Sequence, residues 1–87
     1  VNTFYLTFPE RLKRAPLKDF PPAHPEGWVV VEAASEGQAR WMAREMFGSD
    51  WFGLYPSIHE AEYPRGEIGR LSQPQRLGAL LLTSSTP

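Results

Sequence analysis

Apolar and polar positions change their spacing several times along this chain, and each change marks an element. Asn2-Thr3-Phe4-Tyr5-Leu6-Thr7-Phe8 is dense in aromatic and β-favouring residues and predicts a first strand, stopped by Pro9. Arg11 to Glu26 contains Pro16, Pro21, Pro22 and Pro25, so neither a long helix nor a central strand fits there: proline lacks the N–H that either would use. This segment predicts an extended surface loop, long for so small a domain. Trp28-Val29-Val30-Val31-Glu32-Ala33 predicts a second strand. Three consecutive valines call for burial on both faces or a central place in the sheet.

The spacing then becomes helical. In Ser35 to Gly48, residues Ala39, Met42, Ala43, Met46 and Phe47 recur at i, i+3, i+4, i+7 and i+8 and form one apolar stripe. Ser35 followed by Gln38 matches a capping box, and Gly48 suits the helix end. Trp51 to Tyr55 predicts a third strand, stopped by Pro56. Ser57 to Tyr63 has room for one helical turn, and Pro64-Arg65-Gly66 has turn chemistry. Glu67 to Leu71 alternates and predicts a weak edge strand, with Gly66 and Gly69 serving turn and bulge geometry.

The order of elements predicts an α+β fold: one main amphipathic helix packed on a three- to four-stranded, mainly antiparallel sheet. The stripe is expected to bury Met42, Met46 and Phe47 against Val29, Val31 and Phe4 or Phe8. Residues 1–72 read as a single domain. Residues 73–87, with Leu80-Leu81-Leu82 as their apolar patch, read as a tail that is partly disordered or packed back.

Composition narrows the function classes. The chain has 87 residues, and its apolar share of 41% and charged share of 22% are those of a globular domain. A net charge of -1 supplies no global attraction to nucleic acid or anionic membrane. There is no cysteine, which removes disulfides, thiolate metal ligands and a cysteine nucleophile, and favours the cytoplasm for a domain this small. No segment reads as a signal peptide or a membrane span. Val1 invites a reading as a literally translated GTG start, which points to a bacterial or phage gene.

No catalytic, cofactor or metal motif stands out. His59-Glu60-Ala61-Glu62 lacks the second histidine of a zinc-binding helix, because position 63 is tyrosine. Trp41 is the residue out of place: it falls opposite the apolar stripe, among Gln38, Arg44 and Glu45. Either another part of the chain covers it, such as the proline-rich loop or the tail, or another molecule does. Tryptophan and arginine are enriched in interface hot spots, so Trp41, Arg44 and Arg40 form the candidate partner-binding site, extended by Arg14, Lys18 and Phe20 of the loop. The basic stretch Arg11, Lys13, Arg14, Lys18 lies near Phe4, Tyr5, Phe8 and Phe20 in sequence, which allows a single-strand nucleic-acid surface as an alternative. Glu10 and Asp19 flank that stretch and weaken it. Tyr63 beside Arg65 offers to extend a surface with Trp51 or Tyr55.

Phe4 to Phe8, Val29 to Val31, Ala39-Arg40, Phe47-Gly48, and Trp51, Phe52 and Tyr55 make a pattern that resembles a group of small accessory, non-structural proteins encoded by actinobacterial phages. The pattern spans roughly residues 2–71. The resemblance implies a cytoplasmic protein of an infected or lysogenic host, of a kind that often binds a host or phage macromolecule; the group has no general biochemical activity to carry over. The expectation is therefore a non-catalytic accessory protein that binds and modulates a host or phage protein, without cofactor or metal. The alternatives are the nucleic-acid module and a homo-oligomeric structural protein, with Trp41 or an edge strand at a twofold interface.

Overall fold

The computed structural model describes residues 1–18 and 20–72, together with the backbone of residues 81–84. Strand β1 (Asn2–Thr7) pairs antiparallel with β2 (Gly27–Ala33) over its full length, from Asn2 opposite Ala33 to Thr7 opposite Trp28. Helix α1 (Glu36–Phe47) follows β2. Strand β3 (Gly53–Tyr55) adds antiparallel to the outer edge of β1. Strand β4 (Gly66–Ser72) lies parallel to β2, and β5 (Leu81–Ser84) pairs antiparallel with β4. The sheet order is β3-β1-β2-β4-β5. One helix on one face of a mostly antiparallel sheet is an α+β architecture.

Local chemistry explains the helix bounds. The Ser35 hydroxyl accepts from the Gln38 N–H at 3.2 Å, and the Gln38 side-chain oxygen in turn accepts from the Ala34 N–H at 2.6 Å. Two backbone donors at the helix start are satisfied by this exchange. At the other end Gly48 takes φ +60°, a conformation that L side chains rarely adopt.

The core lies between α1 and one face of the sheet. Ala39, Met42, Ala43 and Phe47 are buried against Phe4, Leu6, Val29 and Val31, as the two periods require. Phe8 meets Phe47 edge to face at 5.2 Å. Met46 departs from expectation: it is 36% exposed, near the C-terminal end of the helix, and lines an open cavity rather than packing on the sheet. The proline-rich loop is also less extended than its composition suggests. It contains a 3-10 turn at Glu10–Lys13 that buries Leu12, and it sends Phe20 and Ala23 into the core.

Strand β4 is interior, flanked by β2 and β5, where a weak edge strand was expected. Its register against β2 skips Ile68: Trp28 faces Glu67 and Val29 faces Gly69. Ile68 and Leu71 are three apart, and strict alternation would send them to opposite faces. The one-residue bulge lets both enter the core, at 5% and 0% exposure. Gly27 makes this possible, since a Cβ there would stand 2.7 Å from Ile68 Cγ2 and 3.0 Å from the Gly66 carbonyl oxygen. Strand β2 is central, with Val29, Val30 and Val31 all buried. The strand β5 side of the tail adds one strand to the expected number. The remaining tail positions, 73–80 and 85–87, lie outside the described residues.

Candidate functional site

The outer face of α1 follows from its inner face. With positions 39, 42, 43 and 47 turned to the sheet, position 41 points away from it. Trp41 is 46% exposed, and its indole makes no hydrogen bond or ring contact with another described residue. Arg40 and Arg44 are exposed on the same helix. Arg40 is tied to Glu36, one turn earlier, at 3.1 Å. Arg44 has no carboxylate partner among the described residues, whereas its backbone carbonyl accepts from the Gly48 N–H.

The loop meets the C-terminal end of α1. Arg11 donates to the Asp50 carboxylate at 2.9 Å and to the Ser49 carbonyl at 3.1 Å, clipping the loop to the residues after the helix. Lys13 is engaged with Glu10 at 3.2 Å and Glu26 at 3.6 Å. The hydrogen bond and charge of Glu10 hold its ammonium above the usual lysine range. The basic stretch is therefore divided: Arg11 and Lys13 hold the loop, while Arg14 and Lys18 are exposed and without a carboxylate partner among the described residues.

Phe20 does not belong with the surface residues. It is 6% exposed, and its ring lies against Phe47 at 5.7 Å, so it anchors the loop. Its neighbourhood is nonetheless open. Leu17, Lys18, Phe20, Met46, Phe47 and Asp50 line a cavity of about 200 Å³ between loop and helix end.

Phe4, Phe8 and Phe20 are all buried in the core, at 8%, 3% and 6% exposure, and of the four rings near the basic stretch only Tyr5 reaches the surface. A stacking platform needs rings open to bases, and these rings do not line one surface beside the basic loop.

The sheet face turned away from α1 carries an aromatic group that spacing alone did not reveal. Trp28 is flanked edge to face by Tyr5 at 6.4 Å and Tyr63 at 6.2 Å. Tyr55 faces Tyr5 across the strand pair, and its ring folds over Gly53 in the space a Cβ would take. Burial pushes the Tyr63 phenol above its ordinary pKa, with Tyr55 and Glu62 acting in the same direction. Phe52, 70% exposed, and Tyr63 both line a cleft of about 180 Å³. Trp51 is not part of this group: its indole N–H donates to the Gly48 carbonyl at 3.1 Å, and the ring packs on the core. The signal that could have found the group is the alternation of Tyr5 with Leu6 and of Trp28 with Val29, which assigns the two rings to one face once the strands are paired.

The histidines are separate. His24 Nδ1 accepts from the Glu26 N–H at 3.1 Å, and burial followed by the charge of Arg65 lowers its pKa. His59 is exposed beside Glu62 at 3.7 Å. Among the described residues no three His, Asp or Glu side chains are grouped so as to hold a metal ion, and no helix is long and apolar enough to cross a membrane. Comparison with known proteins brings no match, whether to a family model, a curated protein or a solved structure.

Proposed function

We propose that this protein is a non-catalytic accessory module that binds a host or phage protein through the outer face of α1 and thereby modulates it. The observation that carries the reading is Trp41, a large aromatic 46% exposed on the side of the helix opposite the core. Burying such a ring is a large source of binding free energy, and leaving it in water costs the fold little. Arg44 beside it, with no carboxylate partner among the described residues, favours a partner with acidic side chains around an apolar centre. The resemblance to actinobacteriophage accessory proteins supplies the setting, inside a bacterial host.

Affinity capture from an actinobacterial lysate, with wild type and Trp41→Ala side by side, tests this reading after circular dichroism shows both to be folded. A host protein held by the wild type and lost by the variant is the expected result. A hot-spot tryptophan contributes about 2 kcal/mol or more, enough to deplete a captured partner roughly thirtyfold. Identical captures would refute the role given to Trp41. A shift from dimer to monomer in Trp41→Ala, read by sedimentation, would replace the foreign partner with a second copy of the chain.

A further inference from the structure

We propose that the cleft lined by Phe52 and Tyr63, at the end of β1, takes the guanidinium of an arginine side chain from a partner protein. Trp41 does not line this cleft, and the proposal stands on the cleft's own chemistry rather than on the reading of the α1 face.

Rings and prolines set its shape. Phe52 is 70% exposed, more than Trp41 at 46%, so the reasoning that makes Trp41 a contact applies to it with greater force. Phe52, Tyr63, Pro9 and Pro25 line a cleft of about 180 Å³ whose open surface is more apolar than polar. Cavities of roughly 150 Å³ accept a benzene ring, so this one has room for a flat guanidinium and the methylene before it. Both aromatic positions are fixed before anything binds. The Phe52 N–H donates to the Thr7 carbonyl at 2.8 Å, and Tyr63 meets Trp28 edge to face at 6.2 Å. Little ordering of the backbone is left for binding to impose.

Donors and acceptors then select a cation. Pro9 and Pro25 have no N–H, the Phe52 N–H is taken by Thr7, and the Tyr63 N–H by the Glu60 carbonyl. The Thr7 hydroxyl gives its proton to the Gly53 carbonyl at 3.3 Å and keeps its lone pairs. Glu10 is the one charged residue of the lining. Its Oε2 pairs with Lys13 at 3.2 Å, which leaves Oε1 without a partner among the described residues. Lys13 is shared with Glu26 at 3.6 Å and does not line the cleft. Arg65 is drawn to the same Glu26 at 3.9 Å. His24, next to Pro25, accepts from the Glu26 N–H through Nδ1 and is neutral while it does so. Glu62 adds a second negative charge that acts on the Tyr63 phenol, and its own contact, His59 at 3.7 Å, is charged only when protonated. Rings and acceptors beside an exposed carboxylate attract a cation and repel an anion. A guanidinium suits them better than an ammonium, because it lies flat against a ring and carries five donors for the carboxylate and hydroxyl.

The test uses the full chain, labelled with nitrogen-15, and short capped glycine peptides with arginine, citrulline, lysine or glutamate at the centre. Citrulline keeps the shape of arginine without its charge. The arginine peptide is expected to shift the amides of Phe8, Glu10, Phe52 and Tyr63 and to weaken with added salt. It is expected to bind about tenfold more tightly than the citrulline and glutamate peptides, and about threefold more tightly than the lysine peptide. Phe52→Ser and Glu10→Gln, both at exposed positions outside the core, are each expected to cut that affinity about tenfold, and Trp41→Ala to leave it unchanged. Equal binding of the citrulline or glutamate peptide would overturn the choice of a cation, and equal binding of the lysine peptide the choice of a guanidinium. Tighter binding of tetramethylammonium than of the arginine peptide would replace the partner's arginine with a small ligand. No shift at millimolar arginine peptide would overturn the proposal as a whole. Binding lost in Trp41→Ala but kept in Phe52→Ser would refute the cleft and leave the reading of the α1 face standing.

Discussion

Adjacent residues on α1 test the helix orientation and the surface reading together. Met42 is fully buried beneath the helix, and Trp41 is 46% exposed above it. Met42→Ala removes a side chain from a closed core and leaves a cavity, which costs about 2–5 kcal/mol. A domain of this size loses roughly 4–8 °C in melting temperature for each kcal/mol, so a drop of at least about 8 °C is expected. Trp41→Ala removes more atoms, yet the indole has no hydrogen bond or ring contact among the described residues, and alanine is the better helix former. Its expected effect lies within about 0.5 kcal/mol of zero. Urea unfolding followed by far-ultraviolet circular dichroism reads both variants, and equal m-values show that the same surface unfolds in each. The larger residue should thus be the cheaper one to remove. A Trp41→Ala loss as large as that of Met42→Ala would place the indole in a core and remove the basis for a binding role.

Gly27→Ala is expected to destabilise by about 1–3 kcal/mol in the same assay, because its methyl would press on Ile68 Cγ2 and the Gly66 carbonyl, opening the parallel β2–β4 pair. Ser35→Ala deletes the acceptor for the Gln38 N–H and should cost about 1 kcal/mol, with far-ultraviolet signal otherwise retained. His24 has a pKa below its unfolded value, so the unfolded chain binds the extra proton first. Its contribution to stability is complete above pH of about 6.5 and declines as pH falls through that value. Unfolding at pH 7.5 and 5.5 should show a smaller loss in His24→Asn than in the wild type.

Features that depend on a few neighbouring residues were legible in the sequence. The apolar stripe, the Ser35–Gln38 exchange and Gly48 bound α1 through contacts within a turn or two, so periodicity and caps locate it. The three valines likewise place β2 in the middle of the sheet, because burial on both faces leaves no other position. Trp41 reads as outward for the same local reason. What depended on residues far apart along the chain was decided only by the tertiary structure. Parallel pairing of β4 with β2, the bulge that turns Ile68 and Leu71 the same way, and the addition of β5 all follow from register across the sheet. Phe20 reads as a surface aromatic in a proline-rich loop until Phe47 offers it a contact, and Met46 reads as core until the helix end places it beside an open cavity. The basic stretch shows the same division. Its four cations are alike in sequence, and the folded positions of Asp50 and Glu26 decide that Arg11 and Lys13 brace the loop while Arg14 and Lys18 stay exposed. Periodicity reports which side of an element faces the core. It carries no information on which distant group will meet a given side chain, because that is set by how the layers pack.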